Sequence, residues 1–173
     1  EETDSVPGER PILDVSTAVV DRSTLKPLTT ERLIQRRNAE DDESYSAIFR
    51  GEEGDGPLLV VTQRRGREER TREFDLRGNY YGNESALWVW RSIALKEDFD
   101  TSYVSVNVRD GSQATARLVM VDQQTLNVPA GTFDTWRLQV RNGRDTRVAW
   151  IHVESPHEIV QWDNGVLFLR LIS

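Results

Sequence analysis

Residues 104–120 read VSVNVRDGSQATARLVM, and this stretch decides the fold class. Val104, Val106 and Val108 alternate with Ser105, Asn107 and Arg109, the two-residue period of a half-buried strand. Asp110-Gly111 supplies the positive φ angles of a tight hairpin turn, and Ala114, Ala116, Leu118 and Met120 then line one face of the returning strand. The pattern recurs downstream. Asn142-Gly143 joins Phe133–Arg141 to Thr146–Val153, and Asn164-Gly165 joins Ile159–Trp162 to Val166–Ile172. Upstream, shorter strands are expected at Ile12–Val20, Leu28–Arg36, Tyr45–Arg50, Leu58–Gln63 and Arg67–Phe74. Successive hairpins of this kind build a mainly β, antiparallel meander.

The period changes once. Asn83-Glu84-Ser85 offers a helix N-cap with an early acidic residue, and the apolar run Ala86–Trp90 with Ile93, Ala94 and Leu95 follows. The principal helix is therefore expected over Asn83–Leu95. One helix cannot cover about ten strands, so the sheet must hide its apolar face by curving strongly into a half-barrel or barrel, with the helix against it. A β-sandwich is the alternative. The acidic segment Glu1–Arg10, broken by Pro7-Gly8, reads as a flexible leader, and 11–173 as a single antiparallel β domain.

Charge and composition narrow the function. A net charge of -7 repels phosphate backbones and argues against nucleic acid. The arginines between Arg64 and Arg72 are interleaved with Glu68 and Glu69, which reads as a solvated strand face. No apolar run approaches the roughly 20 residues of a transmembrane helix. The absence of cysteine removes disulfides and thiolate chemistry. Starting at Glu1 rather than at methionine, the chain reads as exported, and an acyl-carrying cysteine ahead of Glu1 would fit that reading.

Catalytic patterns are missing. There is no Gly-x-Ser-x-Gly elbow, and His152 and His157 flank Ser155-Pro156 at a spacing that matches no metal motif. The acidic residues fall mostly in turns, where turn chemistry accounts for them. No catalytic residue, metal or cofactor is called for.

The five tryptophans carry more information. Trp136, Trp150 and Trp162 lie on expected strands and read as core. Trp88 and Trp90, two apart on the helix, are about 200° apart round its axis and cannot share a face. Such a helix is buried on two sides or offers an apolar face to a ligand.

From Leu126 the chain continues LNVPAGTFDTW, and with Val20–Pro27 and Tyr81–Leu87 this resembles a family of exported bacterial domains of unknown function. That family looks related in fold to the lipoprotein carriers LolA and LolB, half-closed antiparallel barrels with helices on the concave side. The resemblance implies a periplasmic, cell-surface or extracellular location. Within the segment, Pro129 fixes φ and Gly131 allows a positive φ, which serves a turn and not proton transfer.

These readings converge on a non-enzymatic cell-envelope or extracellular binding domain. Its apolar groove for a lipid or other amphipathic ligand would be lined by Tyr80, Tyr81, Leu87, Trp88, Trp90 and Trp136. A packed structural or protein-interaction module without a ligand is the alternative, and a hydrolase the third reading.

Overall fold

The computed structural model describes residues 10–51 and 56–172. The expected leader lies outside them except for Arg10, whose guanidinium grips the Asp42 carboxylate at 2.7 and 2.9 Å. Strands dominate, at 60% against 8% helix. The chain forms two compact units, Glu1–Ser85 with Val106–Gln113, and Ala86–Ser105 with Ala114–Ser173.

The first unit is built on a five-stranded antiparallel sheet in sequence order. Its strands are β1 (Leu13–Val20), β2 (Pro27–Gln35), β3 (Glu43–Arg50), β4 (Leu58–Arg65) and β5 (Glu68–Asp75). The β1–β2 connection is organised by Asp21, whose Oδ1 accepts from the backbone and hydroxyl groups of both Ser23 and Thr24. Those donors hold the carboxyl down to about 2, because each favours the charged form. One face of the sheet is core. Thr30, Ala47 and Val61 stand side by side across β2, β3 and β4, with Leu59, Tyr45 and Ile34 around them, all buried. The three-residue strand β6 (Tyr80–Gly82) closes this segment.

The second unit opens with the helix, which is shorter than its apolar run suggests. Asn83–Ser85 is a single 3-10 turn, and helix α1 spans only Ala86–Arg91. The ladder tightens at once. Ser92 and Ile93 donate to Val89 and Trp90, three residues back. The Ser92 hydroxyl takes the Trp88 carbonyl at 2.8 Å, which would otherwise serve the next turn. Trp90 is buried and donates from Nε1 to the Tyr103 hydroxyl at 3.1 Å, whereas Trp88 is 62% exposed. The helix thus has one apolar face in the core and one in solvent.

The strands of this unit are β7 (Asp100–Val106), β8 (Gln113–Val128), β9 (Gly131–Asn142), β10 (Asp145–His152), β11 (Ile159–Asp163) and β12 (Phe168–Arg170). They neighbour one another in sequence order, and the sheet is curled into a half-barrel. Two register shifts, at Met120/Asp122 and at Trp150/Ile151, help to bend it, since an extra residue on one strand increases local twist. Leu118, Leu138, Val140, Ala149 and Ile151 form its core. Pro129-Ala130 makes the two-residue turn between β8 and β9, where Val128 pairs with Gly131. Phe133 is half-buried and meets His152 edge-on at 5.2 Å between ring centres.

Candidate functional site

The face of the β1–β5 sheet opposite its core is the most developed surface of the first unit. Strand alternation and register place its residues in rows across the sheet. Val15, Leu33, Ser44, Arg64 and Glu69 form one row; Thr17, Glu31, Ser46, Thr62 and Thr71 form the next. A third runs Val19, Thr29, Ile48, Val60 and Glu73. Val15, Val19, Leu33 and Ile48 are 41–51% exposed, so four aliphatic side chains on one face stand in water. The twist of the strands leaves a depression of about 570 Å³ over this face, whose lining includes Leu13, Val15, Leu33, Thr17, Ser46 and Thr62. Arg64 is held against Glu69 at 2.7 Å at its rim.

Beneath the same strands lies a polar cluster. Arg32 makes a two-pronged contact with Asp14 at 2.7 and 2.9 Å, and this hydrogen bonding holds the Asp14 carboxyl below the usual range. The Tyr45 hydroxyl donates to Glu43 and accepts from Gln63 and Arg109. Glu84 is different. Its side chain is 4% exposed, no other described residue donates a hydrogen bond to its carboxylate oxygens, and Arg32 stands 3.8 Å away. Desolvation outweighs that charge and pushes the Glu84 carboxyl above its ordinary value.

A raised pKa on an acid means that the fold resists ionisation. The unfolded chain ionises Glu84 first as pH rises past about 4.3, and the native state loses relative stability from there upward. Glu84→Gln removes that cost while keeping the shape. It is expected to raise the melting temperature at neutral pH, with the gain fading as the pH falls to where Glu84 is protonated in the folded and unfolded chain alike. Thermal melts of both proteins across this range check it, and an unchanged or lower melting temperature at pH 7 would contradict the assignment.

The six residues expected to line a groove fall in both units. Tyr80 and Tyr81, on β6, are brought together by Lys26, whose Nζ lies 4.7 and 4.4 Å from their ring centres. Tyr80 is buried and also stacks on Phe49 at 6.1 Å. Leu87, Trp88 and Trp90 belong to α1, where Leu87 is half-buried, Trp90 is core and Trp88 carries the Arg91 guanidinium over its ring at 5.0 Å. Trp136 is half-buried on β9, paired with Ile151 and Gln123.

The histidines sit at the end of the second sheet. His157 Nδ1 is 3.1 Å from the His152 carbonyl, and His152 Nδ1 is 4.0 Å from Glu158. Among the described residues no group of three or more His, Cys, Asp or Glu could hold a metal ion, and no helix is long and apolar enough to cross a membrane.

Over residues 4–166 the sequence matches the model of a family described as a protein of unknown function, DUF3108. No curated protein and no solved structure matches it.

Proposed function

Since the chain belongs to the DUF3108 family, whose function is unknown, its activity has to be read from its surfaces; we propose that it is a non-enzymatic binding module of the cell envelope. Its ligand is an amphipathic molecule held on the open face of the β1–β5 sheet. The observation that carries this reading is the depression of about 570 Å³, where exposed aliphatic residues stand in rows beside hydroxyls and a charged pair. An alkyl segment laid over Val15 and Leu33 gains about 0.8 kcal/mol per buried CH₂. Thr17, Ser46 and Glu31 can meet the polar end. The likeness of the 126–136 segment to exported, carrier-like domains supports the envelope setting.

Of the helix residues expected to meet a ligand, Trp88 is the most exposed and Leu87 is half-buried, while Trp90 lies in the core. The two surfaces can be told apart by titrating the protein with a fluorescent fatty acid. Leu33 is 41% exposed, so Leu33→Asp leaves the fold intact while placing a charge in the depression. This variant is expected to weaken uptake at least tenfold, and Trp88→Ala to leave it unchanged. Loss of uptake in Trp88→Ala alone would move the site to the helix, and no uptake by the parent protein would sink the binding reading.

A further inference from the structure

The end of the second sheet carries a different kind of surface. β12 is its last strand among the described residues, and Phe168, Leu169 and Arg170 are exposed on both of its faces, with Arg170 Nε donating to Gln161 on β11. Val166, Leu167 and Ile172 beside it are exposed as well, at 90, 45 and 75%. Asn164 donates to the Leu167 carbonyl and Leu171 to that of Val160, while Leu169 pairs with Trp162. Odd-numbered residues therefore bond inward to β11, and by the alternation of an antiparallel ladder the N–H and C=O groups of Phe168 and Arg170 point outward.

Exposed edges are usually blunted by charge, and the contrast within this protein is plain. β5, an edge of the first sheet, reads EERTREFD, with six charged residues in eight. β1, the other edge of that sheet, has a register shift at Val19/Val20 and an aspartate clamped by Arg32. β12 has no proline and no bulge, and its one charge, Arg170, lies over its own neighbour Phe168 at 4.7 Å from the ring centre.

We propose that β12 is the edge at which a second copy of this chain adds, strand to strand and antiparallel, about a two-fold axis at Leu169. The charge pattern selects that occupant. In this register Phe168 of each copy faces Arg170 of the other, which repeats between copies the cation–ring contact already present within the strand. The two Arg170 side chains never oppose each other. The outward groups of Phe168 and Arg170 then pair, leaving Leu169 opposite Leu169 as a non-hydrogen-bonded pair with Cα atoms about 4.5 Å apart.

That spacing lies inside the range a disulfide spans, and the chain has no cysteine of its own. Leu169→Cys should therefore oxidise to a covalent dimer, while Val166→Cys, on the exposed turn ahead of β12 and off the axis, should form no disulfide between copies. Sedimentation of the unmodified protein should show twice the chain mass, growing with concentration. Arg170→Pro removes one outward N–H without touching the ladder to β11, and should return the protein to monomer with its circular dichroism unchanged. A parent protein that remains monomeric to ~200 μM would overturn the proposal. So would a dimer that survives Arg170→Pro, or equal cross-linking of the two cysteine variants.

Discussion

Trp90→Ala is expected to lower stability by about 3–5 kcal/mol, a large fraction of what a domain of this size possesses. Two losses combine. The indole is 1% exposed, so its removal leaves a cavity that the surrounding core fills only in part. The Tyr103 hydroxyl, itself on a buried residue, loses the donor 3.1 Å away. Trp88→Ala, two positions along the same helix, should change stability by no more than about 0.5 kcal/mol, since that ring is mostly in water with Arg91 over it. Urea denaturation of the two variants measures both. Comparable losses would contradict the unequal burial of the two rings, and a larger loss from Trp88→Ala would mean that the helix is turned the other way about its axis.

Gly111→Ala should be nearly as damaging, at about 2–4 kcal/mol, although it adds one methyl group. Gly111 has a φ of 71°, where a Cβ is strained by its own backbone. A Cβ built there falls 2.5 Å from three atoms of the Phe74 ring, including the one attached to its side-chain stem. The ring cannot swing clear from that end, so β5 or the 106–113 hairpin must shift. Gly143, in the equivalent Asn-Gly turn, has a similar φ of 62° and open space around it. Gly143→Ala should cost only the backbone strain, about 1–2 kcal/mol, and the difference between the two variants isolates the contact with Phe74. Equal losses would remove that contact from the account.

The hairpins were readable because turn chemistry is local. Gly143 and Gly165 carry the positive φ angles that reverse the chain, and in the second turn the Asn164 side chain also accepts from the Val166 and Leu167 amides. The helix was less readable at its end. Ile93, Ala94 and Leu95 keep an apolar pattern, yet a hydroxyl at Ser92 competes for the Trp88 carbonyl and the ladder stops. The opposition of Trp88 and Trp90 followed from helical geometry. Which of them faces the core depended on the position of Tyr103, an element away.

The open face of the first sheet was hidden for another reason. Leu13, Val15 and Val19 alternate with Asp14, Ser16 and Ala18, which signals one apolar face on β1. On β2, Leu33 and Ile34 are adjacent and both aliphatic, so the strand alone does not say which is buried. Pairing decides it: Leu33 stands beside Val15 and Ser44 on the open face, and Ile34 lies in the core at 3% exposure. The burial of Glu84 escaped for a similar reason, since an acidic residue ahead of a helix ordinarily faces water.

The 106–113 hairpin has a consequence for dissecting the molecule. It belongs to the unit whose other residues precede Ala86, so the polypeptide leaves that unit, enters the next, returns and leaves again. The returning loop is structurally engaged. Arg109 reaches Tyr45, Gln113 takes the Arg77 amide and donates to the Asp75 carbonyl, and Gly111 abuts Phe74. A fragment ending at Ser85 would lack those partners and leave Tyr45, Phe74 and Asp75 uncovered. Neither unit can be excised at one cut. A split-protein reporter, a domain swap between homologues or an isotope-labelled half for spectroscopy would instead need the hairpin grafted back through a linker.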